Sequence, residues 1–555
     1  MSERSTDGGR AAPDAERVAS GAAGPETALD LTLHDVLAEH ARSRPAQTAT
    51  VCGRHSWTWS ALHERVLRLA QVLADAGVAP GDRVLWLGQN CHRLLETLLA
   101  CGQLGAVFCP VNWRQSAEEL AFVLADADPS VVVWQKSEIG TAVLVAAQAH
   151  AGSRATWIRH DHVEEGEAPE AQAQGPEPPG GSGADFEELV ATAPPRPPDR
   201  AATASGAAVL MIYTGAFAGR PNGALLSHRA ILAQSMVIAL VRGYRADAVF
   251  LNSGPLFHLG TLMSTFAVFH LGGTNVFIRR VEAEEICRIV EAEGCTDAFL
   301  MPPTVAEITS VNADGRFDLT SLRVASGPPE WRAMVSADTS DWAARPGGTG
   351  QTEVTGLVTF TAFGGTGGHG RPSPLAQVRI HDDDNVELGP GQVGEIVVRG
   401  PVVMNGFHNR PELNAAKRRN GWHHTGDLGR REEDGSITFM GPKARMIKSA
   451  AENIYPAEVE ACLRSHAAVR EAAVIGVPDE RWAQSVKAIL VLHADHDVGE
   501  TEIIEHCRAH IASYKKPRLV EFVDELPKNG YQIDYDALDA AFGGGGYPGG
   551  TYRSV

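Results

Sequence analysis

Between residues 59 and 134 the chain switches repeatedly between helical and extended apolar patterns, and this alternation constrains the fold more than any other feature. A helix-like run from Trp59 to Ala76 stops at Gly77, and Arg83-Val-Leu-Trp-Leu87 is then a continuous apolar run of strand length. A second helical pattern covers about Leu94 to Leu104, and Gly105–Val111 and Val131–Trp134 again have strand texture. Strands separated by helices of this size form a parallel sheet with helices packed on its faces. The expected class is therefore α/β, with a large N-terminal domain of parallel sheets. A length of 555 residues with 44% hydrophobic side chains leaves room for several cores.

Charge narrows the function classes. Lys plus Arg number 49 against 68 Asp plus Glu, a formal charge of −19. Nucleic-acid binders and membrane-surface proteins normally present net basic faces, so neither is expected and partners should be small molecules or proteins. Eight cysteines are scattered without a CxxC pair, which points to buried free thiols rather than a disulfide framework or zinc site. The N-terminal MSERSTDGGRAAPDAERVASGAAG has no apolar h-region. The most apolar long stretch, Pro255 to Ile278, contains His258, His270 and paired glycines, and reads as core segments separated by turns. A cytoplasmic protein is expected.

The organisation follows from texture. Residues 1–27 lack periodicity and read as a disordered tail. Residues 28–444 form the large domain, with a flexible insertion at 161–200 rich in Glu, Pro, Gly and Ala. Between Val378 and Gly400 short alternating segments indicate a β-rich subdomain. Residues 445–540 read as a small α+β domain, with helices near Val459–Leu463 and Ile503–Ile511 and strands at Val469–Val477 and Lys487–Leu492. The GGGG-containing end, 541–555, reads as a flexible tail.

Chemistry concentrates in Met211-Ile-Tyr-Thr-Gly-Ala-Phe-Ala-Gly-Arg-Pro-Asn-Gly-Ala-Leu-Leu-Ser-His-Arg229, a strand, a small-residue loop and a helix start. Backbone N–H groups of such a loop can cradle phosphate; taken alone, the loop is equally a structural turn. Four further segments follow in order: Thr349-Gly-Gln-Thr-Glu353, Thr425-Gly-Asp427, Gly441-Pro-Lys-Ala-Arg-Met-Ile-Lys448 and Leu526-Pro-Lys528.

On these segments the chain resembles the adenylate-forming superfamily of acyl-CoA synthetases, adenylation domains and luciferases over roughly residues 30–540. Ala106-Val-Phe-Cys-Pro-Val-Asn-Trp-Arg114, Pro255-Leu-Phe-His258, Glu452-Asn-Ile-Tyr-Pro-Ala-Glu-Val-Glu460 and Tyr514-Lys-Lys-Pro517 place it with the ligases. The resemblance implies ATP- and Mg²⁺-dependent activation of a carboxylate to an acyl-adenylate, followed by transfer to CoA. It also implies a C-terminal domain that rotates on a hinge, at Arg445 here. The nucleotide and acyl-adenylate contacts carried over are Gly327, Thr349, Gly350, Gln351, Thr352 and Asp427. His258, Thr352 and Glu353 are carried over as catalytic positions, with Glu353 the one candidate Mg²⁺ ligand.

The departures cluster on the ATP side. The family loop YTSGTTGxPKG has Gly215, Ala216, Phe217 and Ala218 in place of Ser-Gly-Thr-Thr, and Asn222 in place of its lysine. Thr349 replaces the aromatic residue of YGxTE, and Pro442 the arginine of GRxKD. The LPKTxxGK motif reads Leu526-Pro-Lys-Asn-Gly-Tyr-Gln532, one residue short, with Gln532 at the adenylation lysine. A cation placed on developing charge is typically worth about 10²–10³ in rate. ATP and Mg²⁺ use is therefore in doubt, and the leading expectation is a ligase that only thioesterifies a pre-formed acyl-adenylate with CoA. Such an enzyme needs a separate adenylating ligase as partner and suits antibiotic or other secondary metabolism. Ala450 and Ala451, where the family has glycines, could narrow the thiol's approach. A complete ATP-dependent ligase using Lys443, Lys448 or Lys528, and a non-catalytic scaffold, are the competing readings.

Overall fold

The computed structural model describes residues 30–547 except 138, 150–154, 161–177, 179–180, 199–202, 215–220, 325–326, 339–346, 444–445, 451, 495, 497 and 530–531. Arg83–Leu87 lies inside an eight-stranded sheet of order Gly406–Phe407, Asn222–Ser227, Ala208–Thr214, Val107–Pro110, Arg83–Leu87, Val131–Trp134, Thr156–Arg159, Gly181–Asp185. The six strands from Ala208–Thr214 to Gly181–Asp185 run parallel, and the other two are antiparallel additions. Val107–Pro110 and Val131–Trp134 are buried at every position, which is why they appear as unbroken apolar runs rather than alternating ones. The helix Trp59–Asp75 begins on the Thr58 side-chain cap, and His92–Leu104 ends on Gly105 in the left-handed conformation.

A second, mainly parallel sheet orders Asp297–Ala298, Val249–Asn252, Thr274–Phe277, Thr48–Cys52 and His55–Thr58. The long apolar stretch resolves here into the buried helix Leu259–Leu271 and the strand Thr274–Phe277. Among the described residues no helix is long and apolar enough to cross a membrane. The β-rich region is an antiparallel sheet built on Gln377–His381, Val393–Arg399, Trp422–Arg431, Arg418–Arg419 and Ile437–Pro442.

The C-terminal part is α+β. Its sheet holds Glu452–Ile454, Ile447–Ser449, Ala483–Leu492, Val469–Asp479 and Leu519–Phe522. The helices Pro456–Arg464 and Glu500–His510 cover one face through Val459, Leu463, Ile503 and Cys507. All eight cysteines are free thiols, seven of them buried.

Two expectations need correction. Within 161–200 the chain forms the strand Gly181–Asp185 and the helix Phe186–Thr192, which is capped by Asp185 and anchored by buried Phe186 and Val190. The Gly- and Pro-rich composition hid a strand whose backbone pairs with Thr156–Arg159. The C-terminal tail also does not begin at 541: the helix Tyr535–Phe542 runs into it, and the Tyr547 hydroxyl accepts from the Gly476 N–H at 2.9 Å. The expected tail at 1–27 and most of 161–200 lie outside the described residues.

Candidate active site

A cavity of about 690 Å³ opens at the carboxyl ends of the parallel strands Val107–Pro110 and Ala208–Thr214. Parallel sheets bind ligands at this end, where strands give way to loops. One wall is the segment 348–353. Gly350 and Gln351 pair antiparallel with Leu357 and Gly356, and a Cβ at Gly350 would stand 1.9 Å from the Gly356 carbonyl oxygen. Only glycine permits that close approach. The resulting hairpin turns Thr349, Gln351, Thr352 and Glu353 to the cavity.

Asp427 enters from the strand Trp422–Arg431 and accepts from Gln351 Nε2 at 2.9 Å. Burial pushes its carboxyl up to about 7; the Gln351 hydrogen bond works against that, and the neighbouring Glu353 charge adds to it. Burial raises Glu353 as well. Between these acids stands Lys417, whose Nζ donates to the Thr425 carbonyl at 3.1 Å and whose ammonium burial makes more acidic than usual. One desolvated ammonium beside two carboxyl groups of reduced acidity can hold a singly charged anion that also carries hydroxyl donors.

The mouth is built by His258, at the N-cap of Leu259–Leu271, and by residues of the C-terminal part. His258 Nε2 lies 3.2 Å from Glu452 Oε2, and Arg114 holds the other carboxylate oxygen. Against the effect of burial, these two partners keep the Glu452 carboxyl below its usual range. The Arg114 guanidinium also lies over the rings of Phe257 and Tyr514, 5.5 and 5.8 Å from their centroids. Behind them, Lys515 Nζ is 2.7 Å from both Glu119 and Glu458, and Ser116 Oγ donates to the His510 carbonyl at 2.9 Å. These bonds tie the C-terminal part to the large domain with Met446, Lys448, Glu452, Asn453 and Tyr455 on the cavity wall.

The structure brings together His258, Thr349, Gly350, Gln351, Thr352, Glu353, Asp427 and Pro442. It does not bring Asn222 or Gly327 among them. Asn222 is buried in its strand, where its side-chain oxygen accepts from Arg410 Nε at 3.1 Å. Gly327 lies against Trp331. Gln532 pairs through its backbone with Asn529, and the adjacent Lys528 binds Glu471 at 2.7 Å. Gly215, Phe217 and Arg445 fall outside the described residues.

Lys417 is the cavity-lining ammonium that the sequence concealed. It stands at the head of a Lys-Arg-Arg run that has the texture of a solvated surface. Of the three substitute lysines expected, Lys443 lines the cavity but is 3.2 Å from both Glu395 and Asp383. Lys448 lines it with Nζ 2.7 Å from Asn453 Oδ1, and Lys528 does not line it. Among the described residues no three His, Cys, Asp or Glu side chains gather as a metal site. Glu353 alone, disfavoured by burial as a charged ligand, fits only a Mg²⁺ that keeps most of its waters.

Comparison with known proteins identifies the family. Residues 37–408 match the AMP-binding enzyme family and residues 458–531 the AMP-binding enzyme C-terminal domain. A feruloyl-CoA synthase of Amycolatopsis sp is 34% identical over 88% of the chain and 94% of its own length. A double mutant of Bacillus subtilis o-succinylbenzoate CoA synthetase, solved with a product analogue, OSB-NCoA, shares 25% identity. It superposes with a TM-score of 0.73 over 91% of this chain and 97% of that one. The same enzyme in complex with its acyl-adenylate intermediate, also 25% identical, reaches 0.58 over 92% and 98%.

Proposed function

The chain belongs to the AMP-binding enzyme family as an acyl-CoA ligase, and from that premise we propose that it performs only the thioester-forming half-reaction on a pre-formed acyl-adenylate. The observation that carries this is Asn222. It stands at the family's phosphate-loop lysine and is buried against Arg410, whose Nη2 is 2.6 Å from Asp126. No ammonium is offered to outer phosphates from that position. The groups that an adenylate's ribose and single phosphate would meet, Asp427, Gln351, Thr352 and Lys417, share one cavity. The closer superposition on the product-analogue complex than on the adenylate complex agrees with a C-terminal part set for thiol transfer.

In this reading the CoA sulfur attacks the acyl carbonyl carbon, and the bond from that carbon to the phosphate oxygen breaks. AMP leaves with the electron pair. The thiol proton passes to His258 Nδ1, while the Nε2–H held by the Glu452 carboxylate lets that carboxylate stabilise the imidazolium. Lys417 offsets charge gathering on the departing phosphate. No ATP or Mg²⁺ takes part, and a separate adenylating ligase supplies the substrate. A divided pathway of antibiotic biosynthesis, of the platensimycin and platencin type, is the setting such an enzyme fits.

One observation favours a complete ATP-dependent ligase instead: Lys417 and Lys443 both line the cavity and supply cations that the degenerate motifs lack. Incubation with ATP, Mg²⁺, CoA and a carboxylate panel, beside synthetic acyl-AMPs with CoA, separates the two. Thioester from acyl-AMP without pyrophosphate from ATP supports the proposal. Pyrophosphate release at a comparable rate refutes it.

A further inference from the structure

The loop that leaves the strand Val107–Pro110 runs along the seam between the large domain and the C-terminal part. Arg114 binds Glu452 and lies over the ring of Tyr514, and Ser116 Oγ donates to the His510 carbonyl. Gln115 stands between these two contacts and lines the cavity of about 690 Å³ together with Asn112, Phe257, His258 and Tyr514. Arg114 and His258 hold the two oxygens of the same Glu452 carboxylate. The loop therefore borders the mouth at which the thiol arrives in the reaction proposed above.

Gln115 Oε1 is buried and has no hydrogen-bond donor. Buried acceptors left open are uncommon and unfavourable. The cations on either side are engaged: Arg114 Nη2 by Glu452, and Lys515 Nζ by Glu119 and Glu458, each at 2.7 Å. Asn112 accepts from the Arg114 N–H at 3.0 Å with its own side-chain oxygen. The terminal torsion of a glutamine is soft, so Gln115 can turn its carboxamide into the cavity without breaking a bond at Oε1. What this oxygen lacks is a donor. A secondary amide offers one N–H, whereas a fully ionised phosphate offers none and would leave Oε1 open. The aromatic faces of Phe257 and Tyr514 beside it suit the apolar carbons of a chain that also carries amides.

We propose that Gln115 binds the thiol cosubstrate, with Oε1 accepting from an amide N–H of the pantetheine arm of CoA, and thereby sets how far the sulfur reaches toward His258. This role rests on the thioester-forming step proposed above and adds a requirement to it: a good thiol substrate carries an amide as well as a sulfur. Gln115 makes and breaks no covalent bond, and its effect is confined to the thiol.

Steady-state kinetics of the full chain with a saturating synthetic acyl-AMP and three thiols, CoA, pantetheine and 1-propanethiol, tests it. Gln115→Met keeps the length of the side chain and removes the acceptor; Gln115→Ala is read in the same way should the first variant not fold. The KM for CoA and for pantetheine should rise roughly five- to tenfold, as loss of one neutral hydrogen bond would cause, with kcat little changed. Turnover of 1-propanethiol, which has no amide, and the acyl-AMP dissociation constant should stay at the parent values. Equal slowing with all three thiols overturns the proposal, as do unchanged KM values for CoA and pantetheine or weakened acyl-AMP binding. No thioester from the parent with any thiol would overturn the thioester-forming step itself, and the role of Gln115 with it.

Discussion

Asp427 carries a strong pH signature within the candidate site. Its carboxyl is raised to about 7 by burial, so the folded chain holds a proton there that the unfolded chain releases near 4. Stability from this group is therefore fully present below about pH 4 and is lost as pH rises through 7, on the order of 4 kcal/mol at most. Asp427→Asn cannot ionise and should flatten that decline, leaving the ligand-free variant more stable than the parent at pH 8 while weakening acyl-adenylate binding. Denaturant unfolding from pH 4 to 8 would show it; parallel curves for the two proteins would contradict the buried-acid account. Lys417 gives a second prediction at this scale. Lys417→Met should lower kcat/KM for acyl-AMP by roughly 10²-fold, the usual size for a lost charge-stabilising group, with an unchanged unfolding midpoint. Asp427 was legible in the sequence because it sits in a short recognisable segment. Lys417 was not, because only the hairpin between Arg418–Arg419 and Trp422 folds it under the Thr425–Asp427 strand.

At the level of elements, legibility followed burial. Val131–Trp134 and Arg83–Leu87 were readable because strands covered on both faces need apolar side chains throughout. The strand Gly181–Asp185 has no such run, and its place is set by pairing with Thr156–Arg159. The loop after Ile447–Ser449 shows a local conflict of another kind. Ala450 takes φ 52°, where the family carries glycine, with its N–H donating to the Trp482 carbonyl at 2.7 Å. A left-handed alanine costs about 1 kcal/mol that glycine does not. Ala450→Gly should offset that strain, with thioester formation at least as fast as in the parent. A slower CoA-dependent step in that variant would show that the methyl group is needed in the turn.

Across the whole molecule, the account depends on how the C-terminal part is held. Glu119 joins it to the large domain through Lys515, which keeps Glu458 as a partner when Glu119 is changed. Glu119→Gln should therefore slow CoA-dependent turnover roughly tenfold, consistent with one charged hydrogen bond, while the acyl-AMP dissociation constant stays put. Equal loss in both quantities would place the effect in general destabilisation. Why the proposed half-reaction would exclude adenylation is also a whole-molecule question. Gln532→Lys alone should not restore ATP–pyrophosphate exchange, since the shortened motif displaces the new ammonium by up to about 3.3–3.6 Å and Asn222 remains buried against Arg410. Recovery from that single change would locate the defect at one residue.

The central claim is that acyl transfer here is complete without ATP. Its most direct measurement is AMP release from a synthetic acyl-AMP in the presence of excess chelator, with and without CoA. The account predicts AMP and acyl-CoA appearing in equal amounts, strictly dependent on CoA and indifferent to the chelator. AMP release that requires ATP or Mg²⁺, or an acyl-AMP left intact in the presence of CoA, would contradict it.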